Sequence, residues 1–157
     1  MSDRALEFMR RALALAEQAA GRGEVPVGCV VVRGDVVVGG GYNRRETDRR
    51  AVAHAEILAI DEACTVLQSW RLCGCDLFVT LEPCPMCAGA IINARIDRVF
   101  FGARDPKAGA LISRIDLFEW GFNHRPKIIG GVLADQSTRL LSAFFAGRRA
   151  AKPSDQQ

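Results

Sequence analysis

Two short segments of this chain carry residue types that bind metal ions and move protons. The first reads His54-Ala55-Glu56, and the second reads Pro83-Cys84-Pro85-Met86-Cys87. Imidazole nitrogen and thiolate sulfur are ligands that suit zinc. In a helix, Cys84 and Cys87 would lie about one turn apart, so both sulfurs could reach one ion. With His54 as a third ligand the fourth position stays open, which is typical of a catalytic zinc.

Glu56 is close enough in sequence to His54 to lie beside such an ion without binding it. A carboxylate in that place can carry protons between a water, a ring nitrogen and a departing amine. The same residue could instead be a first-turn carboxylate that interacts with the helix dipole. Likewise, an isolated Cys-x-x-Cys pair could be a redox pair, half of a zinc site or two buried thiols.

Taken together, the two segments match the signature H-x-E…P-C-x-x-C of zinc-dependent nucleobase deaminases. Zinc makes water an effective nucleophile near neutral pH. Attack on an amidine-like carbon that bears an amino group would then release ammonia, with Glu56 moving the protons. The sequence therefore predicts one Zn²⁺ per chain, bound by His54, Cys84 and Cys87, and Glu56 as the catalytic residue.

Composition indicates a single globular protein. Apolar residues make up 49% of the 157 positions, which suffices for a full core. Apolar runs such as 25–32 are too short to cross a membrane, and the N-terminus suggests an amphipathic helix rather than a secretion signal. We expect a cytoplasmic, reduced protein in which Cys29, Cys64, Cys73 and Cys75 are buried apolar residues. The net charge of +3 permits a polyanionic partner without requiring one.

Hydrophobic periodicity predicts an α/β fold: a five-stranded mixed sheet with helices on both faces. Helices are predicted at residues 3–20, 53–67, 84–94, 112–119 and 137–149, and strands at 25–32, 36–38, 76–81, 98–102 and 127–132. The first two strands form a hairpin, and the later strand–helix–strand order implies parallel pairing. Gly39-Gly40-Gly41 allows the second strand to bend or another backbone to approach. We expect one deaminase domain over residues 1–149 and a flexible tail over residues 150–157.

Segments well beyond the metal-binding motif resemble the bacterial tRNA-specific adenosine deaminases, members of the cytidine/deoxycytidylate deaminase superfamily. The resemblance runs from about residue 4 to residue 149 and depends on residues 24–28, 53–56, 80–90, 101–105, 123–125 and 144–145. It implies a three-layer, cytidine-deaminase-like fold and a zinc-containing homodimer. The implied reaction is the hydrolytic conversion of adenosine to inosine at the wobble position of a tRNA anticodon stem-loop.

The resemblance also implies roles for residues of the substrate pocket. By position, Asn43 would hydrogen-bond a flipped base, and Val27 and Ala55 would line the pocket around that base. Asp105 would contact the nucleotide backbone or the ribose. From the residues alone, Asn43 could equally be a turn residue after a strand.

Three residues near the C-terminus would contact the RNA outside the pocket. By resemblance, Phe145 would pack near the anticodon loop, with Arg148 and Arg149 close to phosphate. Plain helix packing is the alternative for Phe145. The arginine-rich segment 42–50 is either a solvated loop or a phosphate-contacting edge of the site.

Two stretches depart from the family pattern. Arg50-Ala51-Val52 replaces an expected Asp-Pro-Thr beside the pocket, and Leu111-Ile112-Ser113-Arg114 replaces an expected small-residue step. These departures leave open a deaminase of a free nucleobase or nucleoside, of the guanine, cytosine or adenine type. A non-catalytic, RNA-binding zinc subunit is a further alternative, which the presence of Glu56 disfavours. Cys73-Gly74-Cys75 could in principle complete a structural zinc site instead.

Overall fold

The computed structural model describes residues 1–151, which form one mixed five-stranded sheet with helices on both faces. The strands are β1 (Gly28–Arg33), β2 (Val36–Tyr42), β3 (Cys75–Leu81), β4 (Arg98–Ala103) and β5 (Lys127–Ile129). The α-helices are α1 (Asp3–Gly21), α2 (Ala55–Leu67), α3 (Pro85–Ala94) and α4 (Ala134–Ala151), and a 3₁₀ turn spans Leu117–Glu119. The predicted α/β fold is confirmed. The predicted tail begins inside α4, and its remainder, 152–157, lies outside the described residues.

The strand order β2-β1-β3-β4-β5 combines a hairpin with a parallel half. Strand β1 pairs antiparallel with both β2 and β3, whereas β3, β4 and β5 are parallel. Helix α3 connects β3 to β4, so the parallel pairing predicted for this strand–helix–strand segment is confirmed. Because parallel strands end at the same edge of a sheet, the loops after β3 and β4 meet there.

Side chains of the sheet alternate between two apolar clusters. On β3, Leu77 and Val79 pack with α2 and α3, whereas Phe78 packs with α1 on the opposite face. There the Phe78 ring stacks on the Phe100 ring with centroids 4.4 Å apart. Helix α4 covers β4 on this second face, where the Cβ position of Gly102 meets Ser137. The sheet is therefore the central layer of three.

Glycines of β2 allow α2 to lie against the sheet backbone. A Cβ atom on Gly39 would lie 2.2 Å from the carbonyl oxygen of Ala59, and one on Gly41 would lie 2.8 Å from that of Ala55. A side chain does not fit in either place, so the predicted close approach of a second backbone is confirmed. The strand continues through these glycines, beyond its predicted end. This contact fixes the helix that carries the first motif.

Three predicted elements in the C-terminal half are wrong in extent. The predicted helix 112–119 shrinks to the turn at 117–119, because the N–H groups of Leu111, Ile112 and Ser113 donate to the Glu82 carboxylate. Strand β5 ends at Ile129 because the following backbone turns away, with Gly131 in the left-handed region at φ +83°. Helix α4 then begins earlier than predicted.

Two of the four remaining cysteines are not buried as expected. Cys29 and Cys75 lie in the core, but Cys73 is exposed and Cys64 is half-buried. Cys64 belongs to the last turns of α2, and Cys73 belongs to the loop before β3, where the core no longer covers them. None of the helices within residues 1–151 combines the length and the hydropathy that a bilayer crossing requires.

The packing of α2 on β2 can be tested with two glycine substitutions. Gly39→Ala is expected to lower the free energy of unfolding by about 1–3 kcal/mol, because the added methyl group meets backbone atoms that cannot move independently. Gly147→Ala is the matched control: Gly147 lies on exposed α4 with open space at its Cβ position, and the substitution should stabilise by about 0.5–1 kcal/mol. Urea unfolding measures both, and equal stability of the two variants would contradict the close contact.

Candidate functional site

His54, Cys84 and Cys87 converge where two helices begin. His54 immediately precedes α2 and Cys84 immediately precedes α3, each with an extended backbone, and Cys87 lies in the first turn of α3. The Nδ1 atom of His54 lies 3.7 Å from Sγ of Cys84 and 3.5 Å from Sγ of Cys87. All three ligand atoms lie within 4.8 Å of one another. The structure therefore brings together the three predicted ligands as a group that can bind a metal ion.

The spacing of these atoms fits a tetrahedral zinc site. Zn–S bonds of about 2.3 Å and Zn–N bonds of about 2.0–2.1 Å place sulfur and nitrogen about 3.6 Å apart at the tetrahedral angle. The observed separations of 3.5 and 3.7 Å agree with that value. Neither Cys73 nor Cys75 belongs to this group. The donor set is therefore the three-ligand type that leaves a coordination position open.

The two thiols of the group differ in their acidity. A hydrogen bond from Cys87, together with one from His54, lowers the pKa of the Cys84 thiol to about 4. The pKa of Cys87 is raised, because this thiol donates to Cys84 and is buried. The N-terminal end of α3 further favours negative charge here. Cys84 is thus a thiolate at neutral pH, ready to bind a cation.

Glu56 lies buried in the first turn of α2, beside the metal-binding group. Burial raises the pKa of its carboxyl group, and repulsion from the Cys84 thiolate raises it further. A carboxyl group whose pKa lies closer to neutrality exchanges protons more readily at physiological pH. The position and the electrostatics of Glu56 both suit a general acid–base residue.

A cavity of about 220 Å³ opens onto this group. Its lining contains most of the predicted site residues, namely Val27, Asn43, His54, Ala55, Glu56, Cys84 and Asp105. Cys87 is fully buried behind the cavity, and Phe145 does not line it. The structure thus brings together the predicted base-binding residues with the metal-binding group and leaves Phe145 elsewhere.

The sequence and the fold are similar to those of known deaminases. A family model described as MafB19-like deaminase matches residues 3–137. The tRNA-specific adenosine deaminase of Bacillus subtilis (strain 168) is 47% identical over 146 residues, which cover 92% of this chain and 91% of that protein. The chain belongs to the tRNA-specific adenosine deaminase family.

Solved structures of deaminases agree with membership of this family. A structure from studies of A-to-I editing by tRNA:A34 deaminases is 43% identical, with a TM-score of 0.84, and covers 86% of this chain and 99% of that one. A guanine deaminase from Bacillus subtilis is 28% identical, with a TM-score of 0.61 over the full length of both chains. The resemblance in both sequence and shape is stronger to the tRNA deaminase.

Asn43 is held in the pocket by backbone groups. Its Nδ2 donates to the carbonyl of Val25 at 3.3 Å, and its Oδ1 accepts from the N–H of Arg45 at 3.3 Å. An amide side chain can donate two hydrogen bonds and accept two, so these contacts use half of its capacity. The contact with Arg45 is that of an Asx turn, and together with the contact to Val25 it fixes the orientation of the side chain at the pocket.

Two buried carboxylates that sequence reasoning missed hold the loops on either side of the pocket. Glu24 accepts from the N–H groups of Glu46 and Thr47, at 3.1 and 2.8 Å. Glu82 accepts from five donors in residues 105–113. Burial by itself would raise the pKa of each carboxyl, but the hydrogen bonds outweigh burial and lower the pKa of both. The sequence did offer one signal for these roles: Glu24 directly precedes the apolar segment 25–32, and Glu82 directly follows the apolar segment 76–81.

The arginine-rich segment after β2 is ordered by its own contacts. Arg44 forms an ion pair with Asp48 at 3.0 Å and donates to the hydroxyl of Tyr42 at 3.0 Å. Arg45 instead lines the pocket. The divergent residues 50–52 form an exposed turn before His54 and do not line the cavity. Their departure from the family pattern therefore leaves the wall of the pocket intact.

Phe145 lies in a second groove, between α4 and the loop after β4. The lining of this groove includes Arg104, Lys107 and Arg149. Phe145 is 41% exposed and contacts the ring of Phe144 edge-on, with centroids 5.4 Å apart. This exposure argues against a purely packing role. The basic groove and the pocket share one border, because Asp105 lines the pocket from the same loop.

The metal-binding assignment predicts which cysteines matter. Cys84→Ala or Cys87→Ala should remove most of the bound zinc from a protein that otherwise carries about one ion per chain, because each deletes one of three ligands. Cys73→Ala, which removes an exposed thiol outside the group, is the control and should keep its zinc. Metal analysis by inductively coupled plasma mass spectrometry measures the content. Full zinc occupancy in both ligand variants would overturn the assignment.

Proposed function

We propose that the protein is a zinc-dependent hydrolytic deaminase that converts adenosine to inosine at the wobble position of a tRNA anticodon. The observation that carries this proposal is one pocket in which a His/Cys/Cys group meets a buried carboxyl group, Glu56. Support for the substrate comes from relatives named as tRNA-specific adenosine deaminases, at 44–47% identity over most of the chain.

The residues of the pocket divide the chemistry between them. His54, Cys84 and Cys87 would hold the zinc, which would supply Lewis-acid activation of water near neutral pH. Glu56 takes one proton from the attacking water and delivers it to the ring nitrogen beside the reacting carbon. The same carboxylate then takes the second proton, from the hydroxyl group now on that carbon, and passes it to the amino group as the carbon–nitrogen bond breaks. Water is consumed, ammonia leaves, and the base keeps the water oxygen as its carbonyl.

The shape of the pocket favours a base that has left the stack. His54 and Cys84 line the cavity, so a nucleobase would have to leave its stack and enter the cavity to reach the metal-binding group. Val27 and Ala55 supply apolar walls for the flipped base, and Asn43 supplies an oriented amide. Asp105 lies on the wall formed by the loop after β4, where the ribose of the target nucleotide would pass.

The groove beside the pocket suits the remainder of the anticodon loop. Phe145 offers an exposed ring on which an unstacked base can lie, a mode common in the recognition of single-stranded RNA. Arg104, Lys107 and Arg149 line the same groove and can contact phosphates. Arg148 stacks over Phe144 on the same helix, 5.1 Å from the ring centroid, and adds further positive charge.

The other functions fit these observations less well. A guanine deaminase shares the fold at 28% identity, well below the 47% of the tRNA deaminase from the same species. A small free substrate also gives no role to the basic groove with its exposed aromatic ring. A non-catalytic RNA-binding subunit would not require Glu56 to be buried against the metal-binding group.

We further propose a cytoplasmic homodimer. The segment that contains the 3₁₀ turn exposes Ile112, Ile115, Trp120 and Phe122, four large apolar side chains. Exposed apolar clusters of this kind commonly mark protein–protein contacts. None of the six cysteines, all within the described residues, forms a disulfide bond, which suits a reducing compartment. Sedimentation of the purified protein measures its assembly state directly.

Replacement of Glu56 tests the mechanism. Glu56→Gln should keep the zinc and the RNA affinity, because neither depends on this proton carrier, and should lower the single-turnover rate on tRNA by about 10²–10⁴-fold. Glu62→Gln, an exposed carboxylate on the same helix, is the control and should deaminate at the wild-type rate. A Glu56→Gln enzyme within a few-fold of wild type would remove Glu56 from the mechanism.

Salt dependence tests the nature of the substrate. The wild-type protein should convert free adenosine very poorly, because contacts outside the pocket position the reacting base. Its affinity for tRNA should fall steeply with added salt, and Lys107→Gln or Arg149→Gln should each reduce the log–log slope by about 0.7–0.9.

Lys127→Gln provides the matched loss of charge at the opposite end of the parallel strands, and it should leave the slope unchanged. Inosine formation in tRNA and in free adenosine is measured in parallel by nucleoside chromatography. Efficient turnover of a free base or nucleoside, with none on tRNA, would support the alternative function.

A further inference from the structure

We propose that Glu82 is a positioning residue that holds the loop at residues 105–113 against the substrate pocket and thereby sets how tightly the RNA is held for deamination. This inference rests on the proposed function, since it assigns Glu82 a part in that same site. Glu82 neither binds the metal in the proposed scheme nor carries a proton. It acts through the loop, which we call the Asp105 loop.

The carboxylate of Glu82 is the centre around which the Asp105 loop is folded. One oxygen, Oε2, accepts from three consecutive N–H groups, those of Leu111 at 3.2 Å, Ile112 at 2.9 Å and Ser113 at 2.9 Å. The other oxygen, Oε1, accepts from the N–H of Asp105 and from the hydroxyl of Ser113. Successive N–H groups that point at one anion form a nest, an arrangement that concentrates positive potential. Here the bound anion is a side chain of the protein itself.

Apart from Glu82, the Asp105 loop is held by local turn contacts, such as those from the N–H groups of Lys107 and Ala108 to the Asp105 carboxylate, and by the burial of Leu111. Residues 104–116 contain turns but neither helix nor strand. The Glu82 side chain is only 2% exposed. The N–H groups that donate to it could therefore not bond to bulk water instead unless the loop opened. Both ends of the loop, at Asp105 and at Ser113, bond to the same carboxylate. That one group therefore closes the loop.

Gly109 provides the space that the carboxylate occupies. A Cβ atom at this position would lie 2.3 Å from Oε2 of Glu82 and 2.6 Å from the carbonyl oxygen of Asp105. The N–H of Gly109 donates to that same carbonyl at 2.9 Å. A side chain at residue 109 would therefore displace either the carboxylate or the turn at Asp105. The loop and Glu82 fit each other at close range.

The backbone next to Glu82 links this loop to the metal-binding group. Glu82 is followed by Pro83 and Cys84, and the carbonyl of Pro83 accepts from the N–H of Ala110 at 2.9 Å. The segment that supplies a metal ligand thus also anchors the loop that carries Asp105 to the pocket and Lys107 to the basic groove. A change in the Glu82 contact would shift the RNA-facing wall relative to the reacting centre.

The test compares Glu82→Gln with wild type. Glutamine keeps the size of the side chain, but it replaces one acceptor oxygen by an NH₂ group. That NH₂ group would face N–H donors of the loop, with which it cannot form hydrogen bonds. Zinc content should stay at the wild-type level. Hydrogen exchange at the amides of residues 111–113, followed by mass spectrometry, should accelerate roughly 10–100-fold. The tRNA concentration that gives half the maximal single-turnover rate should rise roughly tenfold or more, with a smaller fall in the maximal rate.

Two further variants keep the test decisive if Glu82→Gln folds poorly. Ser113→Ala removes one donor and leaves the carboxylate in place, so it should change exchange and half-saturation in the same direction by a smaller factor. Gly109→Ala should resemble Glu82→Gln, because it disrupts the same contact from the other side. Glu62→Gln, exposed on α2, should match wild type in both measurements.

The outcomes separate this inference from the proposed function. Unchanged exchange, or unchanged half-saturation, in Glu82→Gln and Ser113→Ala would overturn the positioning role. Loss of zinc in Glu82→Gln would also overturn it, since Glu82 would then support the metal-binding segment. If the wild-type protein deaminates no tRNA, the proposed function fails, and the exchange experiment still decides whether Glu82 holds the loop.

Discussion

The N-termini of α2 and α3 converge at the metal-binding group. This convergence requires negative charge between the two helix ends, and the pocket forms around it. The positive ends of the α2 and α3 dipoles would repel each other across a few ångströms if nothing negative lay between them. The Cys84 thiolate occupies that space. Metal binding therefore uses a side chain whose negative charge also favours the convergence of the two helices.

The glycines of β2 position α2, and the parallel pairing of β3 with β4 positions α3, which connects those two strands. Helix α2 contacts the backbone of β2 directly at Gly39 and Gly41, which fixes its distance from the sheet. Helix α3 begins four residues after the end of the central strand β3. The two metal-ligand segments are thus positioned by elements of the sheet layer, whereas Asp105 and Arg45 reach the pocket from loops.

The regular helices and strands around the pocket could be predicted from the sequence better than the loops, for physical reasons. Alternating and helical apolar patterns reflect burial, so the sheet, α1, α2 and α3 followed from periodicity, and the His54, Cys84 and Cys87 group followed from ligand chemistry. The roles of Glu24 and Glu82 could not be predicted in this way. A buried acid that accepts hydrogen bonds from backbone N–H groups leaves no pattern in the side chains of the residues that donate them. The helix predicted at 112–119 failed for the same reason: its amides point at a carboxylate some thirty positions earlier.

The amides that surround Glu82 constrain the backbone of the Asp105 loop more than its exposed side chains. Every residue except proline carries an N–H group, so the contact to Glu82 is compatible with many side chains at the exposed Ile112, whereas Leu111 is buried in the core and must stay apolar. Ser113 contributes its hydroxyl to the contact, and Gly109 must stay small. Selection can therefore alter the exposed chemistry at residue 112 while the loop backbone keeps its place, so that surface and architecture can change separately.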